Sequence, residues 1–330
     1  MIKLFAVTLT ALVLFSGCSS KSYFSPKKVD SNLAYKLDLK TPLSDVSRDG
    51  STYNDGRVVT KKRGLLGTVI PKGFRFVYDA GNAILVADAS GEVKILQNGK
   101  TIFSNKFDTA LSSGAIKGNI GAFVFSNNKL MIYNISQNKV IHEEELEPTF
   151  ALDSRVANPL FLNNLVVFPT LDGRLLFIDK DRKTVIRDVA LSNKKIFNNV
   201  IFLQKRGNVI VAATAYKVIS ISQQAVNTKR VDVKDIVYDP NRIYIFSKSG
   251  NVIMSDLNLK TIKEKKFEFA NFSAVSSLKK IYAVEKGGYL VSMDKNLENV
   301  EVSKLPDSID KPVFAFKNKL FIDRFFVNLK

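Results

Sequence analysis

The chain has little of what an enzyme or a disulfide-stapled domain requires. Its 330 residues include one cysteine, Cys18, one histidine, His142, and no tryptophan. A lone cysteine excludes an internal disulfide, so stability has to come from a packed core. His142 sits in the strand-like run Val140-Ile-His-Glu-Glu-Glu-Leu146 and reads as an exposed strand residue rather than a general base. With one cysteine and one histidine there is no Cys/His set for zinc. Asp172-Gly173, Asp179 and Asp181 do not have the spacing of an EF-hand loop. Phosphate-cradling glycine loops are absent, and Gly287-Gly288 reads as a hairpin turn. These absences point to a protein that is not an enzyme and carries neither cofactor nor metal.

Long apolar runs are also missing. The N-terminal run Leu4 to Phe15 is shorter than the roughly 20 residues that span a bilayer. Preceded by Lys3 and followed by Ser16-Gly17-Cys18, it reads as the apolar region of a signal peptide. Small residues at 16 and 17 leave room for a peptidase, and the Cys18 thiol is an acceptor for lipid. The stretch Leu14-Phe15-Ser16-Gly17-Cys18 resembles the bacterial lipobox, with Phe15 where that family usually has Leu. The resemblance implies a membrane anchor on Cys18. Ser19 is not the aspartate that retains such lipoproteins in the inner membrane, so it also implies the outer membrane. The expected organisation is a signal peptide over 1–17, a lipidated flexible tether over 18–32, and one domain over 33–330.

Negative charge is scarce beside positive: 49 Lys and Arg against 31 Asp and Glu give a net charge of +18. In a cytosolic protein that balance would suggest nucleic acid. An exported chain meets other anions instead, and no nucleic-acid partner is expected. The densest basic groups, Lys61-Lys62-Arg63, Lys263-Glu264-Lys265-Lys266 and Lys279-Lys280, are short.

What the chain does have is a repeat. Its clearest copy is Asn164-Leu-Val-Val-Phe-Pro-Thr-Leu-Asp-Gly173-Arg-Leu-Leu-Phe-Ile-Asp179, and others start at Asn82, Asn241 and Lys280. Turn markers fall near 91, 128, 173, 216, 250 and 288, a period of about 40 residues. The runs between them are rich in Val, Ile, Phe and Tyr, and glycine suits turns that need positive φ. Each unit holds four strands, the content of a β-propeller blade. Helical periodicity appears nowhere over a long stretch. Six units fill residues 74 to about 308, and the tail supplies three strands: Pro312–Phe316, Lys319–Asp323 and Phe325–Leu329. Pairing the isolated strand Leu33–Leu39 with that tail would close the ring and remove an open edge. The expected fold is therefore all-β, a propeller of seven four-stranded blades closed by an N-terminal strand. Six or eight blades stay open, because Ser51 to Lys62 could add a hairpin.

The run Leu-Val-Val-Phe-x-x-Leu-Asp-Gly-Arg-Leu-x-x-Ile-Asp at 165–179 resembles the PQQ-type propeller repeat, without the Trp that usually ends each repeat. Lipobox and propeller together resemble the BamB-type outer-membrane lipoproteins of the β-barrel assembly machine. That resemblance implies a periplasm-facing scaffold, monomeric within a larger complex, whose partners are envelope proteins such as a BamA-type barrel subunit. BamB proteins dock through a strip of the form Pro-Ser-Leu-x-Leu-Arg. The matching place here is Pro148-Thr149-Phe150-Ala151-Leu152-Asp153-Ser154-Arg155. The resemblance puts Phe150 and Leu152 at the two leucine positions, Asp153 at the arginine position, and Arg155 two residues further on. Two other readings remain: a scaffold in another envelope machine such as a flagellar motor or secretion system, and a surface-exposed adhesin. In the adhesin reading the C-terminal Lys330 could enter a lysine-binding kringle.

Overall fold

The computed structural model describes residues 22–149, 151, 153, 155–191 and 198–329. Cys18 lies outside them, with the predicted signal peptide, and so do Phe150, Leu152 and Lys330. Secondary structure among the described residues is strand and turn alone.

Eight antiparallel sheets follow one another along the chain. Blade 1 covers residues 43–69, blade 2 74–106, blade 3 111–144 and blade 4 160–190. Blade 5 covers 202–230, blade 6 233–266, blade 7 272–304 and blade 8 313–328. The first strands of several neighbouring blades touch, and so do those of blades 1 and 8, which closes a ring. The middle strands of a blade are buried on both faces, as in Leu165–Pro169 and Arg174–Asp179 of blade 4. Its outermost strand, Thr184–Ala190, is exposed almost throughout. Strands sandwiched between neighbouring blades need apolar residues in succession rather than in alternation, which is the pattern read in the repeat.

The ring has eight blades, not the expected seven. The additional one is blade 1, of which the sequence showed only a hairpin at Ser51 to Lys62. Its strand Gly50–Tyr53 is fully buried yet begins Gly-Ser-Thr. Small residues are required there because the Phe76 ring of blade 2 fills the space where a Cβ on Gly50 would stand. Apolar bulk supplied by a neighbour leaves no apolar pattern in the strand itself.

The described apolar residues separate into eight clusters, one in each gap between neighbouring blades. The closing gap holds Leu39, Leu43, Tyr53 and Val59 against Phe314 and Phe321. Phenylalanine and leucine fill the interfaces where the repeat lacks Trp. Phe107 and Phe267, each just after an outermost strand, reach into the next gap and meet Phe123 at 5.7 Å and Phe272 at 5.9 Å.

The N-terminal segment fastens the ring, as its sequence suggested. Leu37–Asp38 pairs antiparallel with Phe325–Asn328 and is the fourth strand of blade 8. Just before it, Ser31–Asn32 runs parallel to Glu301–Lys304 as a fifth strand on blade 7. Tyr35 joins the two, stacked on Phe325 at 4.4 Å and donating its hydroxyl to Asp307 at 2.9 Å. Earlier in the described chain, the Phe24 ring stands edge-on to Tyr289 of blade 7 at 5.6 Å.

Candidate functional site

An eight-bladed ring leaves a wide axis, and here side chains fill much of it. The turn between the first two strands of blade 1, Ser47-Arg48-Asp49, reaches into the channel. Arg48 is 5% exposed; it donates to Asp235 of blade 6 at 2.5 Å and to the Ile236 carbonyl at 3.2 Å. Its guanidinium also lies 4.8 Å over the Phe202 ring of blade 5. Asp49 accepts from the Asn158 amide at 2.8 Å, ahead of blade 4. One turn thus ties four blades across the axis. Burial pushes the Asp235 carboxyl up, but Arg48, Lys61 and Arg155 together overcome that and hold it at about 2.

Beside this plug lies a cavity of about 260 Å³. It is lined by Gln204, Arg206, Tyr238, Ser276, Ser277 and Lys317, which stand toward the last residues of the inner strands, with Arg48 and Lys61 at its inner side. Its charged lining residues are all cations. Arg206 rests 4.2 Å over the Tyr238 ring, and Lys317 lies 5.0 Å from the Phe316 ring. Burial and the nearby Arg48 charge push the Lys61 ammonium down to about 8. Its Nζ has no ion-pair or hydrogen-bond partner among the described residues. Burial pushes the Tyr238 hydroxyl up to about 12.

Arg155 belongs to the channel as well. Its guanidinium meets Asp153 at 2.7 Å, the Lys234 carbonyl at 3.0 Å and Asp235 at 4.0 Å. Of the strip read as a docking site, its apolar pair, Phe150 and Leu152, lies outside the described residues. His142 sits half-buried on the outermost strand of blade 3, bonded to Glu144 at 2.7 Å. The repeat aspartates cap turns. Asp179 accepts from the Asp181 and Arg182 amides, Asp256 from Asn258 and Lys260, and Asp294 from Asn296 and Glu298. Among the described residues no group of three His, Cys, Asp or Glu side chains is arranged to hold a metal ion. Sequence reading missed the channel, because Arg48 and Asp235 are 187 residues apart and neither stands in a motif.

No family model matches the chain. Plasminogen-binding protein PgbB of Helicobacter pylori strain J99 is 27% identical to it, over 99% of this chain and 71% of that protein. PgbB of strain 26695 matches with the same identity and coverage. Among solved structures, BamB from Moraxella catarrhalis superposes with a TM-score of 0.67 at 11% identity, covering 90% of this chain and 100% of that one. The C-terminal WD40 domain of Sif2 gives a TM-score of 0.67 at 13% identity, covering 92% of this chain and 99% of that one. At such identities the structural likenesses speak for the fold alone: this chain is an all-β propeller of eight blades.

Proposed function

We propose that the protein is a non-catalytic binding platform of the cell envelope. Lipid on Cys18 would hold it at the outer membrane, facing the periplasm, where it helps outer-membrane β-barrel proteins to assemble. The observation that carries the platform reading is how blade edges are used. Blades 7 and 8 each take an added strand from the chain's own N-terminus. Among the described residues no further strand pairs with the outermost strands of blades 2 to 6, which present the apolar side chains of Ile102, Val140, Ile186, Val226 and Ile262. An edge with unpaired backbone groups and an apolar foothold suits an extended strand of an unfolded β protein. Lysines on the same strands, as in Thr261-Ile-Lys-Glu-Lys-Lys266, discourage edge-to-edge self-association. Crosslinking of intact envelopes followed by mass spectrometry tests the reading. Barrel-assembly components should be recovered on these outer strands, and depletion should lower barrel-protein levels. Failure of both removes the assembly role, while recovery of motor or secretion components would move the platform to another envelope machine.

A second reading is favoured by the 27% identity to PgbB along 99% of the chain. In it the protein is displayed on the cell surface and its many lysines engage plasminogen. Immobilised protein should then capture plasminogen, and a free lysine analogue should release it. Complete protection of the protein during protease shaving of intact cells would rule this reading out.

A further inference from the structure

The cavity on the propeller axis carries more positive charge than the fold uses. Deep in the channel, Arg48, Arg155 and Lys61 face Asp235, Asp153 and Asp49, three cations against three carboxylates. Toward the mouth, Arg206 and Lys317 have no carboxylate partner among the described residues. Asp239, at the end of the first strand of the neighbouring blade 6, is taken by Lys295 at 2.7 Å, and Ser277 also donates to it. Two positive charges are left without a counterpart, and they line the same cavity as Lys61, whose charge faces Asp235 and Asp49 without a hydrogen bond among the described residues. Both are exposed, and what they pack on is the Tyr238 ring and the Phe316 ring rather than a carboxylate. Like charges converging on one cavity cost free energy unless an anion joins them.

The cations come from three directions: Lys61 from a turn of blade 1, Arg206 from the end of the first strand of blade 5, and Lys317 from a turn of blade 8. A planar carboxylate is best met by one arginine fork. Separate point charges and rotating ammonium donors instead suit an ion whose oxygens point several ways. The Tyr238 ring holds the Arg206 guanidinium from one side, so less freedom is lost when it engages a ligand. Gln204 adds a neutral amide to the lining. A volume of about 260 Å³ leaves room for a small organic group behind the ion.

We propose that this mouth is a binding site for a phosphate-monoester dianion, gripped by Lys61, Arg206 and Lys317. The site stands apart from the blade edges, so it stands or falls independently of the partner strand proposed above. The same chemistry occurs in a free phosphate ester and in a phosphatidic-acid headgroup.

The test is calorimetric titration of the full chain in detergent with glycerol 3-phosphate, and in a parallel arm with short-chain phosphatidic acid. Saturable binding in either arm supports the site. Binding in the lipid arm alone assigns the ligand to the membrane, and binding in both assigns it to the ester group itself. Lys61→Met should weaken binding by about tenfold, the worth of one charge-assisted hydrogen bond. The paired change of Arg206→Gln with Lys317→Gln, at exposed rim positions, should do the same while melting as the parent does. Above about pH 7 the ester is already a dianion, its second ionisation lying near 6. Affinity should therefore fall as pH rises through about 8, where Lys61 loses its proton, and Lys61→Met should lack that step. Absence of saturable binding in both arms overturns the proposal. So does binding that Lys61→Met leaves unchanged, or equal affinity for succinate.

Discussion

Asp235 shows what a single buried charge does in this ring. It is 8% exposed, bonds to Arg48 and lies within reach of Arg155 and Lys61. Replacement by asparagine would keep the shape and leave three cations without the carboxylate between them. Removing one partner of a buried ion pair typically costs about 3–5 kcal/mol. Asp235→Asn should lose that much in urea denaturation at neutral pH, whereas a loss near zero would mean that the channel rearranges freely. The pH dependence has a definite sign. The folded carboxyl titrates at about 2, below its ordinary 3.8, so its contribution is complete above about pH 4 and is lost as pH falls toward 2. Wild-type stability should drop across that window, and the variant should be flatter there. Lys61 shifts stability in the same direction, in a window at higher pH. Its folded pKa of about 8 lies below the ordinary 10.5, so this residue makes the fold more stable as pH rises between those values.

At the scale of the element, the turn glycines were the most legible feature of the sequence. Gly250 has a φ of 86°, and a Cβ there would run into the Phe267 carbonyl oxygen. Its own carbonyl accepts from the Phe267 amide at 2.9 Å, and Gly173 accepts from Leu191 at the same distance. The glycine therefore both shapes its turn and lets the end of the blade close over it. Gly99 has a similar φ of 79° with nothing near the place of a Cβ, so alanine there meets only the backbone cost, about 1 kcal/mol. Gly250→Ala should lower the melting midpoint distinctly more than Gly99→Ala. Equal shifts would show that the carbonyl yields. The same reasoning shows why blade 1 escaped the repeat. Its glycine, Gly50, makes room for a neighbour's ring, and its Thr52 accepts from the Phe76 amide at 2.9 Å. A strand specified by what the next blade places against it carries no periodic signal of its own. Local pattern thus disclosed the repeat unit and the closing strand, whereas the channel, made of residues far apart in the chain, was out of its reach.

The whole molecule is a ring of nearest-neighbour interfaces without one central core, and such a ring is as strong as its closure. Closure depends on a short segment: Leu37–Asp38 on blade 8, the Leu39 side chain in the gap between blades 8 and 1, and Tyr35 against Phe325. Removing residues 22–42 would open the outer edge of blade 8 and unfill that gap. The shortened protein should melt earlier and elute as oligomers on size exclusion, because an uncovered edge pairs with another. The proposed lipid site at Cys18 precedes this latch in sequence, and between them Phe24 touches Tyr289 on the blade 7 side. Anchor and latch are therefore close in sequence and separable in effect. Cys18→Ala should release the protein from membranes with its melting midpoint unchanged, since the closing contacts described are those of Tyr35 and Leu37 to Leu39. Tyr35→Ala should leave membrane attachment intact and lower the midpoint, having lost the stack on Phe325 and the bond to Asp307. If Cys18→Ala lowered the midpoint as much as Tyr35→Ala does, anchoring would be part of folding, and the ring would not be closed by its own strands alone.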